Sequence, residues 1–202
     1  LGVPNVDSSR MRELKLVTWL TDISKDASEI YLLGDIFDFW FEYKSVVPKG
    51  HVRLLGKLAE LVDNGIKISL FTGNHDMWML DYFEKECGVE IISNELVFEY
   101  NKKRFFVHHG DGLGPGDRSY KVHKKVFRRR LNRWLYSLLH PNLVLGIGAF
   151  LSKKSRLAKQ DFEKENQYLG DDKEFLTQFC KAKLEEGAEI DYFIFGHRHL
   201  PI

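Results

Sequence analysis

Cysteine is scarce in this chain of 202 residues, which contains only Cys87 and Cys180 and no Cys-x-x-Cys pair. The scarcity argues against a structural zinc finger or a dithiol redox centre, and it favours two reduced thiols in a cytosolic protein. The longest uninterrupted run of apolar and glycine residues, 143–151, is far too short to span a bilayer. Internal repeats and low-complexity tracts are also missing from the sequence.

A strong net charge is lacking as well, because 30 Lys and Arg residues face 29 Asp and Glu residues, for a net charge of +1. A protein that attracts nucleic acid through its overall field carries a marked positive excess, so we expect no nucleic acid partner. The hydrophobic content of 44% and the charged content of 29% are ordinary for a soluble globular protein. We expect one domain over residues 1–202.

Strand-like and helix-like patterns alternate along the chain, which predicts an α/β architecture. The predicted helices cover residues 8–21, 51–63, 77–86 and 173–186. The predicted strands cover residues 30–33, 66–71, 96–100, 104–107 and 192–195. A hairpin is predicted around Asn101-Lys102, so we expect a mixed sheet or two sheets.

Polar fragments follow four of these apolar, strand-like runs. The fragments are Gly34-Asp35, Gly73-Asn74-His75-Asp76, His109-Gly110-Asp111 and Gly196-His197-Arg198-His199. Any one of them alone is typical of an ordinary turn, but four such fragments in this order seldom occur by chance. We expect the strand ends to bring carboxylate, amide and imidazole groups to one place, and these are the ligands of a hard-to-borderline metal ion.

The order of the four fragments resembles the calcineurin-like metallophosphoesterase superfamily. Within it, Leu33–Trp40 and His109–Asp117 resemble the UDP-2,3-diacylglucosamine diphosphatases of lipid A biosynthesis, in their Bacteroidetes-type form. The resemblance implies a β-sandwich flanked by helices (αββα), with a helical lid inserted at residues 117–159. It also implies an enzyme that hydrolyses UDP-2,3-diacylglucosamine to UMP and 2,3-diacylglucosamine 1-phosphate.

The resemblance implies a two-metal site with Mn²⁺, and the expected donors also suit Fe²⁺ or catalytic Zn²⁺. Two such ions about 3.5–4 Å apart need a bridging carboxylate, for which Asp35 is the candidate. Asn74, His109 and His197 are expected to complete the ligands of one ion. His199 is expected to bind the other ion.

His75 and Asp76 are the predicted catalytic residues. His75 is expected to stabilise the transferring phosphoryl oxygen or to protonate the leaving group, while Asp76 orients it. The proteobacterial enzymes of this family have Arg at the position of His75, whereas the wider superfamily has His as here. Because successive strand residues face opposite sides, only one of His108 and His109 is expected to reach the metals, and the family motif selects His109.

The family opens with a strand that ends in Asp-x-His followed by Leu-Gly, whereas this sequence begins at Leu1-Gly2. The resemblance therefore implies that the first strand and two ligands lie upstream of Leu1. The alternative is a copy of the fold that does not build a complete two-metal site, and the sequence leaves both possibilities open.

Residues 117–159 interrupt the alternation of strands and helices. Seven Lys and Arg residues occur between positions 121 and 133 with no acidic residue among them, and apolar residues recur at nearly helical spacing. The pattern predicts a basic amphipathic helix that either packs on the core or lies on anionic lipid headgroups of the inner membrane. The resemblance favours a lid over acyl chains, because the family binds the lipid part of its substrate with a helical insertion here.

Four residues are predicted substrate contacts: Asp117, Ser152, Arg156 and Lys159. Asp117 matches a family residue that contacts the sugar or nucleotide, and the other three fall where the family has Ser, Asn and Lys. Arg156 departs from that pattern. The expected partners are a nucleotide-linked glycolipid and the inner-membrane surface.

Two other functions stay open at this stage. One is a different metallophosphoesterase, such as a soluble phosphodiesterase; a nuclease is disfavoured because it needs a broad basic groove with aromatic stacking platforms. The other is a non-catalytic scaffold of the same fold. A scaffold has no need of all six polar residues Asp35, Asn74, His75, His109, His197 and His199.

Overall fold

A computed structural model of the chain describes residues 1, 6–116, 118–148, 150, 168 and 170–198. The named helices are α1 (Val6–Ile23), α2 (Val52–Asp63), α3 (Tyr82–Cys87), α4 (Arg118–Phe127), α5 (Arg130–Ser137) and α6 (Phe175–Glu185). The strands are β1 (Glu29–Leu32), β2 (Lys67–Phe71), β3 (Glu90–Ile92), β4 (Leu96–Tyr100), β5 (Lys103–His108) and β6 (Tyr192–Phe195). Residues 141–148 are helical as well.

Two three-stranded sheets carry the architecture. In the first sheet, β2 pairs in parallel with both β1 and β3. In the second sheet, β5 pairs antiparallel with β4 and parallel with β6. The α/β prediction with strands divided over two sheets is therefore confirmed, and β3 is a strand that the sequence pattern did not reveal.

The hairpin between β4 and β5 turns at the predicted dipeptide. Asn101 and Lys102 both adopt left-handed backbone conformations, with φ of 50° and 61°. Positive φ at both central residues is the requirement of the two-residue turn that matches strand twist. The pairing of Tyr100 with Lys103 fixes the register up to Leu96 opposite Val107.

The main core lies between the first sheet and the helices α1, α2 and α3. Leu54, Leu58 and Leu61 recur on one face of α2 and are buried in the same cluster as Ile68 and Leu70 of β2. The periodicity predicted from the sequence therefore places α2 on the sheet. This packing holds the ends of β1 and β2 in a fixed position.

Aromatic rings connect the two sheets and cover the second one. The rings of Tyr31 in β1 and Phe98 in β4 stack with centroids 5.4 Å apart. On the other face of the second sheet, Phe106 and Phe195 contact Phe179 of α6. The loops after β1, β2, β5 and β6 are thus anchored to one packed body.

The helix predicted at 77–86 is shorter in the structure and begins at Tyr82. Trp78 instead forms a bridge with Phe41. The buried carboxylate of Glu42 accepts hydrogen bonds from the backbone N–H groups of Leu80, Asp81 and Tyr82 at 2.8–3.0 Å. These bonds fix the start of α3, because the first N–H groups of a helix have no partner within it.

The single basic helix predicted after residue 117 is divided into α4 and α5. At the break, Arg128 folds back and donates to the Thr72 hydroxyl and to the Ser93 carbonyl, both at 3.0 Å. Asn132 donates to the Val126 carbonyl at 2.6 Å and closes the turn. Within the part of the chain that the structure describes, no helix is both long and apolar enough to cross a membrane.

Candidate metal centre

Four predicted ligands lie together at the ends of β1, β2, β5 and β6. Asp35, His109 and His197 each offer a ligand atom, and these atoms all lie within 4.8 Å of one another. The amide oxygen of Asn74 lies 3.4 Å from Nε2 of His109. The structure therefore brings one carboxylate, one amide and two imidazoles to one point.

The geometry of this cluster fits a divalent metal ion. Two ligands that are each about 2.1 Å from one ion lie at most about 4.2 Å apart, so a small shift of the side chains closes this set onto an ion. Oxygen and imidazole donors without thiolate suit a hard-to-borderline cation. The chain's own donors therefore fit the ion that the sequence predicts.

Asp35 occupies a strained backbone position, with φ of 53°. Its Oδ1 accepts a hydrogen bond from the backbone N–H of His75 at 3.0 Å, and its Oδ2 lies 3.3 Å from Nε2 of His109. Burial alone would raise the pKa of Asp35, but the hydrogen bond to His109 and the charges of His109 and His75 lower it to about 2. Asp35 is therefore an anion in the folded protein.

His109 is held with one ring nitrogen toward the cluster. Its Nδ1 lies 2.6 Å from the carbonyl oxygen of Leu33, to which it donates, and this leaves Nε2 facing Asp35 and Asn74. Burial acts to lower the pKa of His109, but the contact with Asp35 outweighs burial and raises it. A backbone hydrogen bond of this kind orients metal-binding histidines.

Two glycines permit the close approach of these loops. A Cβ on Gly73 would lie 2.2 Å from Oδ1 of Asp35, and a Cβ on Gly34 would lie 2.7 Å from Nδ1 of His109. Gly34 also has a φ of 86°, which side chains disfavour. The glycines of the first two fragments are therefore needed where they stand.

Asp76 connects the loops after β1 and β2. Its buried carboxylate accepts hydrogen bonds from the backbone N–H groups of Gly73 at 2.8 Å, Asp35 at 3.2 Å and Phe37 at 3.3 Å. Complete burial and then the negative charge of Asp35 raise the pKa of Asp76 to about 6, against the effect of the N–H donors. The carboxylate sets the spacing between Asp35 and the Gly73-Asn74 turn.

The sequence predicts that Asp76 orients His75, but in the structure the His75 ring has a different partner. Nδ1 of His75 lies 3.1 Å from the carbonyl oxygen of Asp38, so a backbone group in the loop after β1 orients the ring. The carboxylate of Asp76 is already committed to three backbone amides. Asp76 therefore acts through the loops rather than through the imidazole.

The neighbouring histidine, His108, turns away from the cluster. It is buried, and its Nδ1 accepts a hydrogen bond from the N–H of Gly110 at 2.8 Å. The remaining predicted site residues lie outside the described residues and stay predictions: Asp117, Ser152, Arg156, Lys159 and His199.

Helix α4 is tied to the loop after β5 by contacts that sequence reasoning missed. Oδ2 of buried Asp111 accepts from the Tyr120 hydroxyl at 2.5 Å and from the Lys124 ammonium at 2.8 Å. Burial would raise the pKa of Asp111, but these two partners lower it. Tyr120 and Lys124 are four residues apart on one face of α4, which is the only signal in the sequence that pairs them.

Arg198, within the last fragment, forms a two-pronged ion pair. Its Nε and one terminal nitrogen donate to the buried carboxylate of Glu174 at 3.2 and 2.7 Å. Glu174 directly precedes α6, so the pair fixes the loop that carries His197. Sequence reasoning missed Glu174 because 24 residues separate the two partners.

The helix pair α4–α5 leaves much of its apolar surface exposed. A pocket of about 470 Å³ between the helices is lined by Val126, Phe127, Asn132, Leu135, Tyr136 and Leu139. Leu131, Trp134 and Leu138 are more than half exposed, at 64%, 56% and 63%. Simple packing on the core does not account for these side chains.

Comparison of the sequence with known proteins supports the family that these motifs indicate. Residues 13–201 match the calcineurin-like phosphoesterase family. Among the relatives is the UDP-2,3-diacylglucosamine hydrolase of Porphyromonas gingivalis, which is 40% identical over 197 residues, covering 93% of this chain and 75% of that protein.

More distant relatives carry the same name. The UDP-2,3-diacylglucosamine hydrolases of Edwardsiella ictaluri and Haemophilus influenzae are 26% and 27% identical, and the alignments cover 68% and 74% of those proteins. Each alignment covers 91% of this chain. Because the family match spans the four strand-end fragments, the chain belongs to the calcineurin-like phosphoesterase family.

Proposed function

We propose that this protein hydrolyses the diphosphate of UDP-2,3-diacylglucosamine to UMP and 2,3-diacylglucosamine 1-phosphate. The observation that carries the proposal is the 40% identity with a UDP-2,3-diacylglucosamine hydrolase over 93% of the chain. The apolar pocket of α4–α5, on the helices tied to the candidate metal centre, suits a substrate with acyl chains. A different phosphoesterase that acts on soluble diesters has no use for that pocket.

Membership of the family implies a divalent metal, and the proposal assigns Mn²⁺ to the cluster of Asp35, Asn74, His109 and His197. When bound, divalent metal ions polarise a phosphoryl group and make a water molecule nucleophilic. Asp35 supplies the anionic oxygen of the set, since its pKa of about 2 keeps it ionised. His199 is proposed to serve a second ion.

The overall reaction adds one water molecule across the diphosphate. The new bond joins the water oxygen to the α-phosphorus, and the bond from that phosphorus to the bridging oxygen breaks. His75 is proposed to contact the transferring phosphoryl group, because its backbone N–H contacts Asp35 and its ring is fixed by the Asp38 carbonyl. With Nδ1 as the donor to that carbonyl, the other ring nitrogen is free to interact with substrate.

The helix pair α4–α5 is proposed to lie on the inner-membrane surface, at its cytoplasmic side. Exposed Leu131, Trp134 and Leu138 lie next to the basic residues of both helices. Side chains of this kind enter the headgroup region of a bilayer while the cations contact anionic lipids. The acyl chains of the substrate then reach the apolar pocket without leaving a lipid environment.

The test is UMP release from UDP-2,3-diacylglucosamine with added Mn²⁺, using protein that includes any residues preceding Leu1. His75→Ala is compared with His140→Ala, which changes an exposed histidine on the lid. We expect a loss of at least about 100-fold in kcat for His75→Ala, the usual contribution of a positioned acid or base. His140→Ala is expected to keep most of the activity.

The same preparations are assayed on a simple soluble phosphodiester. If no UMP is released but activity on the soluble diester survives, the lipid substrate is contradicted and only the family assignment holds. No activity on either substrate with Mn²⁺ bound would favour the non-catalytic scaffold.

A further inference from the structure

A second pocket, which shares no lining residue with the apolar one, lies beside helix α4. It has a volume of about 500 Å³. Five cationic side chains line it: Lys121, Lys124, Lys125, Arg128 and Arg129. Asn94 and Gly112 complete the lining, so the loops after β3 and β5 form its remaining wall.

The positive charge of this pocket is largely uncompensated. Among the described residues, Lys124 alone of the five cations has a carboxylate partner, Asp111 at 2.8 Å. Lys121 and Arg128 donate to neutral groups, the carbonyl of Gly114 and the Thr72 hydroxyl. Several cations around one concave space favour an anion with several oxygen acceptors, and a phosphate group has this chemistry.

The surroundings of the pocket point to a phosphate that belongs to a lipid. Lys125 and Arg129 line the basic pocket, whereas Val126 and Phe127, between them in sequence, line the apolar pocket. Exposed Leu131 follows directly on α5. A soluble phosphate leaves these apolar side chains in water, whereas an anionic phospholipid occupies the cationic pocket and brings its bilayer to them.

We propose that this pocket binds the phosphate group of an anionic phospholipid, a membrane lipid other than the substrate. The proposal rests on the membrane-surface part of the proposed function and names the partner there. Arg128 donates to Thr72, which directly precedes the Gly73-Asn74 turn. A headgroup in the pocket therefore docks the bilayer close to the candidate metal centre.

The test compares vesicles of pure phosphatidylcholine with vesicles that also contain phosphatidylglycerol, by co-sedimentation without substrate. Lys125→Gln/Arg129→Gln removes two cations from the pocket. Arg130→Gln/Arg133→Gln removes two cations from the neighbouring turns of α5, outside the pocket lining. Circular dichroism and thermal unfolding check the fold of both double variants.

The loss of two surface cations lowers binding to an anionic bilayer by about 30-fold through charge alone. We expect the control pair to show a loss of that size and the pocket pair to lose at least about tenfold more, because pocket cations also donate hydrogen bonds to phosphate. Equal losses of binding in the two double variants, or equal binding to both kinds of vesicle, would contradict phospholipid binding by the pocket.

Soluble competitors identify the source of the phosphate. We expect neither glycerol 3-phosphate nor UMP at millimolar concentration to release the protein from the vesicles. Release by glycerol 3-phosphate would show that the pocket binds a free phosphate and not a phospholipid. Release by UMP would show that the pocket belongs to the substrate site. Either result would overturn the proposal. UMP production by the unaltered protein in detergent tests the proposed function separately.

Discussion

At the scale of single residues, the candidate metal centre depends on groups that are not themselves ligands. Asp76 accepts three backbone N–H bonds from the loops after β1 and β2, and the Leu33 carbonyl orients His109. These contacts fix Asp35, Asn74 and His109 before any ion binds. We expect these contacts to contribute both to the free energy of unfolding and to metal affinity.

Asp76→Asn tests this contribution. One oxygen becomes an NH₂ group, which cannot accept from a backbone N–H, so at least one buried donor loses its partner. We expect the free energy of unfolding to fall by about 1–3 kcal/mol, measured by urea unfolding at pH 8, and Mn²⁺ affinity to fall in calorimetry. Asp63→Asn, an exposed change at the end of α2, should stay within about 0.5 kcal/mol; equal effects would contradict the role.

Gly73→Ala tests the close approach of the two loops. The added Cβ would lie 2.2 Å from Oδ1 of Asp35, so the carboxylate or the turn has to move. We expect a loss of about 1–3 kcal/mol in unfolding free energy and a clear loss of Mn²⁺ affinity. Gly56→Ala is the control, since nothing lies within 4 Å of its Cβ in helix α2 and alanine there should stabilise by about 0.5–1 kcal/mol.

His108 gives the stability a dependence on pH. Burial, and then the charge of Lys124, lower the pKa of His108 from 6.5 to about 4. Between these values the unfolded chain binds a proton that the folded chain does not, so stability is complete above pH 6.5 and falls as the pH drops toward 4. We expect protonation of this group to lower the free energy of unfolding by at most about 3 kcal/mol. Urea unfolding in metal-free buffer measures this loss. Identical pH slopes in the native protein and in His108→Gln would contradict the assignment.

At the scale of elements, α4 is a brace between two loops of the site. It contacts Asp111 through Tyr120 and Lys124, and its C-terminal end contacts Thr72 through Arg128. Nε1 of Trp78, which follows Asp76 by two residues, donates to the Phe127 carbonyl at 3.1 Å. Helix α4 is therefore connected by these contacts to the loops after β2 and β5.

Arg128→Ala and Arg129→Ala form a matched pair for this brace. The first removes two hydrogen bonds, to Thr72 and Ser93, while the second removes an exposed side chain. We expect Arg128→Ala to lower the free energy of unfolding by about 1.5–3 kcal/mol and Arg129→Ala by less than about 0.5 kcal/mol. A Thr72→Val partner in a double-mutant cycle should couple to Arg128; additive effects would show that the bond contributes nothing.

The elements themselves were largely predictable from local patterns. Helical spacing located α2, and strand alternation with a turn dipeptide located β4 and β5, because these signals lie within a few residues. The break between α4 and α5 was not predictable, since Arg128 bonds to Thr72, 56 residues away. The late start of α3 depends in the same way on Glu42, about 40 residues upstream.

The same division holds within the site. Asp35, Asn74, His109 and His197 follow strand ends, so their convergence follows from strand order and could be predicted. The roles of Asp76 toward Asp35 and of Glu174 toward Arg198 arise only when distant loops meet. Motif reading therefore identified Asp76 but not its contacts, and it missed Glu174 altogether.

At the scale of the whole molecule, two small sheets bring four loops to one edge, and α4–α5 stands beside that edge with basic and apolar surfaces. The sheets are joined by aromatic contacts such as Tyr31 with Phe98, so the loops are fixed relative to one another. The hydrogen bond from Trp78 to the Phe127 carbonyl connects the apolar pocket of α4–α5 to the loop after β2, which carries Asn74.

The most direct test of the central claim is anomalous diffraction at the manganese edge from crystals grown with Mn²⁺. We expect the strongest anomalous peak within about 2.5 Å of ligand atoms of Asp35 and His109, with Asn74 and His197 adjacent. A protein that binds Mn²⁺ in solution but shows its strongest peak away from these four side chains would contradict a metal centre at this cluster.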